Sequence, residues 1–457
     1  MPETKNMLEL IGNTPIVEVT KFDTGVCRLY VKLENQNPGG SIKDRIALSM
    51  IEAAEKAGKI KPGGLLIEAT AGNTGLSLAL VSVLKGYKLI LVIPDKMSRE
   101  KIAHLRAMGV EIVLTRSDVG KGHPEYYQDF AERIARERGA YYINQFGNLD
   151  NPLAHQASTG PEILAQMEGD VDAVICGVGS GGTITGLSRY FAEKSPKTEM
   201  VLADPKGSIL AHYIDTGELL TEAGSWIVEG IGEDFIPSIA DLSRCKTAYT
   251  ITDAESCETA RELLKREGIL AGSSAGTLVT AALKYCRDQK TPKKVVTFIC
   301  DSGNKYLSKM FNDFWMIDQG FLKGSSFGDL RDIISRKHSE GHAVTIGTND
   351  ALLTAYSRMK LYDISQLPVV DGGKIVGMID ESDLLMATLE GTSQAMQQKV
   401  GAIMAPKMGT VSPESSLEEL SELLKHGLVA IVEDRGQFLG VITRIDLLNF
   451  LRRRAIP

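Results

Sequence analysis

The sequence predicts an α/β protein: a large unit built on open parallel sheets, followed by a tandem of two small α/β repeats. Three observations carry that prediction. Runs rich in valine, isoleucine and leucine alternate with amphipathic segments from Leu29 to Cys300, glycine-bearing loops follow several runs, and a strand, turn, strand and helix pattern of about 60 residues occurs twice after Asp318. A chain of 457 residues accommodates about two to four domains, and 43% hydrophobic with 24% charged residues is an ordinary globular composition.

The net charge of −7, with a single basic run at Arg452 to Arg454, argues against a nucleic-acid partner held by phosphate neutralisation. Six cysteines (27, 176, 245, 257, 286 and 300) show no CxxC spacing, so reduced cytoplasmic thiols are expected rather than a zinc knuckle or redox pair. The N-terminal MPETKNMLELIGNTP has no leader pattern, and no stretch reaches the roughly 18 apolar residues of a membrane helix. A cytoplasmic location without membrane association is therefore expected. His104, His123, His155 and His212 lack metal-ligand spacing and read as structural, with no metal expected.

The expected strands are LLIEAT (65–70), KLILVIP (88–94), VEIVLT (110–115), DAVICGV (172–178), EMVLADP (199–205) and KVVTFICD (294–301). Continuous apolar runs of this kind indicate parallel sheets covered on both faces. Between them, NPGGSIKDRIALSMIEAAEKAG (37–58) opens with a Pro-Gly-Gly turn, offers Ser41 as N-cap and continues as a helix. Lys43 then shares a face with Ile46, Ala47, Met50 and Ala54. Such a cation is either a snorkelling lysine or a desolvated amine, whose depressed pKa suits a Schiff base with a carbonyl cofactor.

The loop TAGNTG (70–75) sets backbone amides and the hydroxyls of Thr70 and Thr74 at a helix N-terminus, which suits a substrate carboxylate, and Asn73 can donate to a phenolate oxygen. The plainer alternative is a well-capped helix start. In GVGSGGTITG (177–186), Gly177, Gly179 and Gly182 spell GxGxxG, and Asp204 closes the next strand about 20 residues on, as in a dinucleotide fingerprint. The same geometry binds a single phosphate, with Ser180 and Thr183 adding hydroxyls. No GxxxxGK[ST] occurs, which disfavours P-loop phosphoryl transfer.

Together, NPGGSIKDR, TAGNTG, VGSGGTITG and AGSSAG (271–276) resemble the β-family of pyridoxal phosphate enzymes, fold type II, which has two open parallel-sheet subdomains. Over nearly the whole chain the sequence resembles the cystathionine β-synthases, through NQFGNLDNPLAH (144–155), VEGIGEDFIP (228–237) and a C-terminal pair of cystathionine β-synthase domains. The resemblance implies pyridoxal 5'-phosphate as cofactor, with Lys43 as Schiff-base lysine and catalytic base, Asn73 at the pyridine hydroxyl, and Ser274 at the pyridine nitrogen. Gly179, Ser180, Gly181, Gly182 and Thr183 match the phosphate loop. Thr70, Ala71, Thr74 and Gln145 fall in the substrate-carboxylate site, and Gly230 beside the second substrate.

The implied reaction condenses L-serine with L-homocysteine to L-cystathionine and water, by β-replacement through an aminoacrylate. Hydrogen sulfide release is an implied side reaction, and a homodimer or higher homo-oligomer the implied assembly. A serine at the pyridine nitrogen leaves a weaker electron sink than an aspartate would, favouring β-elimination over transamination. Cysteine synthesis from O-acetylserine and sulfide uses the same loops. A non-catalytic adenosyl-ligand sensor is the alternative of another class, and Lys43 argues against it.

Some positions depart from the family pattern. Ala71 replaces a common serine, Glu233 and Phe146 stand where the animal enzymes carry tyrosines, and the haem-binding extension of those enzymes does not precede Gly12, so no haem is expected. The expected domains are 1–318 (catalytic), 319–327 (linker), 328–390 and 397–457 (repeats). LPVVDGGKIVGMIDESDLL (367–385) recurs as LVAIVEDRGQFLGVITRIDLL (428–448). In the second copy Thr443 and Asp446 start a helix, where hydroxyl and carboxylate could hold a ribose, resembling the adenosyl-ligand motif of the domain family. The first copy has Asp380 in the threonine position, and its extra carboxylate would repel a phosphate. The alternative is a pair that only mediates dimerisation.

Overall fold

The computed structural model describes residues 6–70, 72–95, 97, 99–120, 122–220, 222–323, 327–338, 343–390, 394–406, 409–426 and 429–455. It divides into two units, Met1–Asn312 and Asp313–Pro457.

In the large unit the strands are β1 (Ile16–Val19), β2 (Arg28–Lys32), β3 (Leu65–Ala69), β4 (Lys88–Pro94), β5 (Glu111–Thr115), β6 (Tyr141–Tyr142), β7 (Ala173–Cys176), β8 (Glu199–Pro205), β9 (Cys245–Ile251) and β10 (Lys294–Phe298). They form a four-stranded sheet, β5-β4-β3-β6, and a six-stranded sheet, β1-β2-β10-β7-β8-β9. Every pairing is parallel except β1 with β2. Five of the six predicted runs are inner strands: β7 is buried throughout, and β3, β4, β8 and β10 are buried after their first residue, whereas the sixth, β5, is an edge strand buried only at Thr115. Burial on both faces is what a helix-covered parallel sheet demands. β1 and β9 are only partly buried and β6 has two residues, so none of the three reads as an apolar run.

Four helices begin at the site: α1 (Lys43–Lys56), α2 (Asn73–Lys85), α3 (Gly182–Lys194) and α4 (Ser273–Asp288). β3 ends at Ala69 and leads through a short loop into α2, and β7 leads through the glycine loop into α3. β10 ends at Phe298, with Cys300 and Asp301 just beyond it. Ligands of open α/β sheets bind beyond such carboxyl ends.

The second unit has two four-stranded sheets. One orders Ile346–Gly347, Gln366–Asp371, Lys374–Asp380 and Ala405–Pro406; the other orders Arg336–Lys337, Gln437–Ile442, Ala430–Asp434 and Thr410–Val411. Leu330, Ile333 and Ile334, at the start of the segment expected to form the first repeat (328–390), instead pack in the core of the second with Leu420, Val432 and Ile442. The helix Asp313–Asp318 also belongs to this unit, where Asp318 pairs with Arg452 at 2.7 Å.

Candidate active site

The loops at these strand ends line a single cleft. Lys43, Asn73, Gly179, Gly181, Gly182, Thr183, Gly230 and Ser274 line it, with Cys176, Ile231, Leu278, Phe298 and Cys300 among the remaining wall. Residues singled out from five separate motifs therefore meet at one place.

Lys43 is the first residue of α1, and its backbone N donates to Ser41 Oγ at 3.3 Å. Ile46, Ala47, Met50 and Ala54 are buried along the same helix. Burial lowers the Lys43 pKa, with Cys300, Glu233 and Asp301 opposing the shift. A lowered pKa raises the fraction of neutral amine, the nucleophilic form.

Asn73 opens α2 with its carboxamide clamped at both ends. Its Nδ2 donates to Asp301 Oδ2 at 2.7 Å, and its Oδ1 accepts from Lys305 Nζ at 2.9 Å. A carboxylate only accepts and an ammonium only donates, so this pair of neighbours fixes the amide orientation. Thr74 and Gln145 are also together: Thr74 Oγ1 donates to Gln145 Oε1 at 2.7 Å, and Gln145 Nε2 donates to the Ala69 carbonyl at 3.2 Å. Thr70 Oγ1 accepts from the Gly72 amide at 3.2 Å. Ala71 lies outside the described residues.

At the glycine loop, Gly181 takes φ 86°, and no side chain caps the first turn of α3. Gly179 approaches Gly230 so closely that a Cβ on it would lie 2.5 Å from the Gly230 carbonyl oxygen. Thr183 Oγ1 is 3.2 Å from His155 Nε2, and His155 Nδ1 is 2.9 Å from Thr159 Oγ1. Burial, followed by the charges of Arg45 and Lys43, pushes the His155 pKa well below its ordinary value, so a neutral imidazole holds Thr183. Asn151 Nδ2 donates to both Ser180 Oγ at 3.0 Å and the Gln145 carbonyl at 2.8 Å, linking the glycine loop to the Thr74–Gln145 wall. Ser274, buried near the start of α4, hydrogen-bonds the Cys300 thiol, whose pKa burial pushes up to about 12.

Sequence reasoning missed Asp301, Lys305 and Asn151, and it read His155 as structural only. Asn151 and His155 do lie inside NQFGNLDNPLAH, and Asp301 closes KVVTFICD, so the segments carried a signal although the individual roles did not. Glu233 is close enough to act on Lys43, and the Phe146 ring packs 5.9 Å from that of Phe235. Asp204 bears on the dinucleotide alternative. Its Oδ2 accepts from the Ala211 amide at 2.8 Å and the residue has no exposure, so the carboxylate caps its own following helix and cannot reach a ribose. Among the described residues no cluster of metal-ligating side chains occurs, and no helix is long and apolar enough to cross a membrane.

The arrangement fits pyridoxal phosphate. An amine of lowered pKa lines the cleft, and an uncapped helix N-terminus suits the phosphate. The Gly179 position leaves no room for a side chain, which lets the main chain come close to a ligand. The family model "Pyridoxal-phosphate dependent enzyme" matches residues 7–301, and the CBS domain model matches 330–390 and 400–453. The chain belongs to the pyridoxal-phosphate dependent enzymes. Within them it is one of the cystathionine β-synthases: it is 36% identical to the cystathionine beta-synthase of Oryctolagus cuniculus, over 98% of this chain and 85% of that protein. A cysteine synthase of Staphylococcus aureus is 39% identical but covers 68% of this pyridoxal-phosphate dependent enzyme, and 97% of its own length. Among solved structures, the O-acetylserine dependent cystathionine beta-synthase of Helicobacter pylori superposes with a TM-score of 0.62 at 36% identity, covering 68% of this chain and 99% of its own.

Proposed function

We propose that this enzyme joins L-serine and L-homocysteine into L-cystathionine and water. The observation that carries the reading is the convergence of Lys43, Asn73, the glycine loop and Ser274 on one cleft, in a chain similar to cystathionine β-synthases along almost all of its length. Bound pyridoxal phosphate supplies an electron-withdrawing ring that weakens the Cα–H and Cβ–O bonds of the amino acid. The protein residues do the rest. Gly179, Gly181, Gly182 and Thr183 would hold the phosphate at the start of α3, Asn73 the ring oxygen, and Ser274 the ring nitrogen. Ser180 supports the loop through Asn151. Thr70, Thr74 and Gln145 would orient the serine carboxylate, and Gly230 borders the space for the incoming thiol.

Lys43 Nζ removes the Cα proton as a neutral amine and, once protonated, delivers a proton to the departing hydroxyl. The Cβ–O bond breaks and water leaves, the homocysteine sulfur forms the Cβ–S bond, and the thiol proton passes through Lys43 Nζ to restore the Cα–H bond. The C-terminal pair takes an adenosyl ligand at Thr443 and Asp446 in this reading, and the chain works as a cytoplasmic homodimer. At the candidate site Thr443 N donates to Asp446 Oδ2 at 2.7 Å, whereas in the first repeat Asp380 and Asp383 exchange two backbone-to-carboxylate bonds of 2.9 Å each.

A second reading, cysteine synthesis from O-acetylserine and sulfide, draws on the Staphylococcus aureus relative. Steady-state rates with serine or O-acetylserine, each paired with homocysteine or sulfide, separate the two. Serine with homocysteine is expected to give the highest kcat/KM. A preference for O-acetylserine with sulfide would replace the first reading by the second.

A further inference from the structure

Glu68 has no solvent exposure, and the proposed chemistry does not use it. Its carboxylate folds back onto main chain: Oε1 accepts from the Ala69 amide at 2.9 Å and Oε2 from the Gln145 amide at 3.1 Å. The β3–β6 ladder ends just before this point. Ile67 pairs with Tyr142, the Ile143 amide donates to the Ile67 carbonyl at 3.1 Å, and Asn144 then turns the chain away at φ 55°. The Gln145 amide is therefore a buried donor beyond the reach of the ladder, and the Glu68 side chain stands in for the missing strand. Gln145 is consequently held through its amide by Glu68, through Nε2 by the Ala69 carbonyl, and through Oε1 by Thr74.

We propose that Glu68 is the positioning residue of the substrate-carboxylate wall, setting the Gln145 turn against Thr74 through its two carboxylate oxygens. The inference rests on the reading that Thr74 and Gln145 receive the carboxylate of the amino-acid substrate. An ionised carboxylate accepts at both oxygens, whereas a neutral carboxyl must place a proton on one of them and hold that amide less well. Burial pushes the Glu68 carboxyl up to about 8, against the pull of the Ala69, Gln145 and Asn144 amides. The titratable group facing it is Tyr142 on β6, whose own surroundings include Glu132, Asp129 and Tyr126. The ionised form dominates as pH rises through this value, so substrate binding tightens in that direction.

The test uses the full-length holoenzyme, with serine as probe, on both sides of that pH. Serine binding is followed by the change in visible absorbance, and KM and kcat by cystathionine formation. Glu68→Gln sets an amide NH2 against one of the two backbone donors. It is expected to raise the serine Kd and KM roughly tenfold, the worth of one hydrogen bond to a charged group, and to remove the pH step in binding. Its kcat is expected to stay within about twofold of wild type, because the chemistry at Lys43 is untouched. Glu68→Asp keeps a carboxylate on a shorter arm, so it should bind weakly yet retain a pH step. A Glu68→Gln enzyme with wild-type serine affinity and an intact step overturns the proposal. If that variant does not fold, Glu68→Asp decides: a retained step with weakened binding supports the proposal, and wild-type affinity or a lost step overturns it. Wild-type enzyme that answers O-acetylserine but not serine would refute the substrate reading alone, and the same measurements with O-acetylserine would then decide the role of Glu68.

Discussion

Replacing Gly179 with alanine strikes the phosphate cradle where two stretches of main chain come closest. The new Cβ would lie 2.5 Å from the Gly230 carbonyl oxygen and 3.4 Å from its carbon. Close C···O approaches in proteins are roughly 3.3–3.6 Å, so one loop must retreat by about 1 Å. Neither obstacle is the end of a flexible side chain. Overpacking of this kind costs about 1–3 kcal/mol. Both loops line the cleft, so the strain falls on the cofactor, and its affinity should drop roughly five- to 150-fold. The assay is titration of cofactor-stripped protein with pyridoxal phosphate, read by visible absorbance, with thermal unfolding as a check on the fold. Gly120→Ala is the control, because a Cβ there meets nothing within 4 Å. Wild-type affinity in Gly179→Ala, or an equal loss in Gly120→Ala, would refute the reasoning.

Two further outcomes test the rest of the molecule. Burial raises the Glu162 carboxyl, but Arg45 and Lys32 overcome it and hold the group at about 2 against an ordinary 4.5. The folded pKa is depressed, so the stabilisation is present above the ordinary value and is lost as pH falls toward the folded one. It amounts to about 3 kcal/mol, and denaturant unfolding at neutral and acid pH should show this loss in wild type and a flatter profile in Glu162→Gln. In the C-terminal pair, Asp446→Ala should weaken S-adenosylmethionine binding by roughly ten- to 100-fold, the worth of a charged hydrogen bond, and leave basal turnover unchanged. Calorimetry with S-adenosylmethionine, AMP and ATP on both proteins measures this, and no binding of any of the three to wild type would make the pair purely structural.

Sequence and structure agree where burial writes itself into local pattern. Inner strands such as β7 are apolar along their length because both faces are covered, and Lys43 stands out because a cation interrupts an otherwise apolar helix face. Edge strands β1 and β9 escape notice because they are only partly buried and polar residues such as Glu18, Lys246 and Thr247 interrupt them, whereas the edge strand β5 is legible through its Ile112–Leu114 run. The site was legible to the extent that its groups sit on glycine loops after strands. Its supports were not: Asp301 reaches Asn73 across 228 residues of sequence, and His155 reaches Thr183 across 28, distances no local pattern encodes. GxGxxG could not by itself separate a dinucleotide from a single phosphate. Asp204 separates them only once its burial and its bond to the Ala211 amide are known. The segment holding Leu330 and Ile333 opens the expected first repeat yet packs with the second, an exchange visible only in three dimensions.

Borohydride reduction of the holoenzyme, with peptide mapping of the product, tests the central claim that the cleft is a pyridoxal phosphate site built on Lys43. One pyridoxyl group is expected, on Lys43, and it should be absent from Lys43→Ala. Lys305 is the informative competitor, since burial also lowers its pKa and it touches Asn73 at 2.9 Å. A pyridoxyl group fixed on Lys305, or on any lysine other than Lys43, would contradict the account.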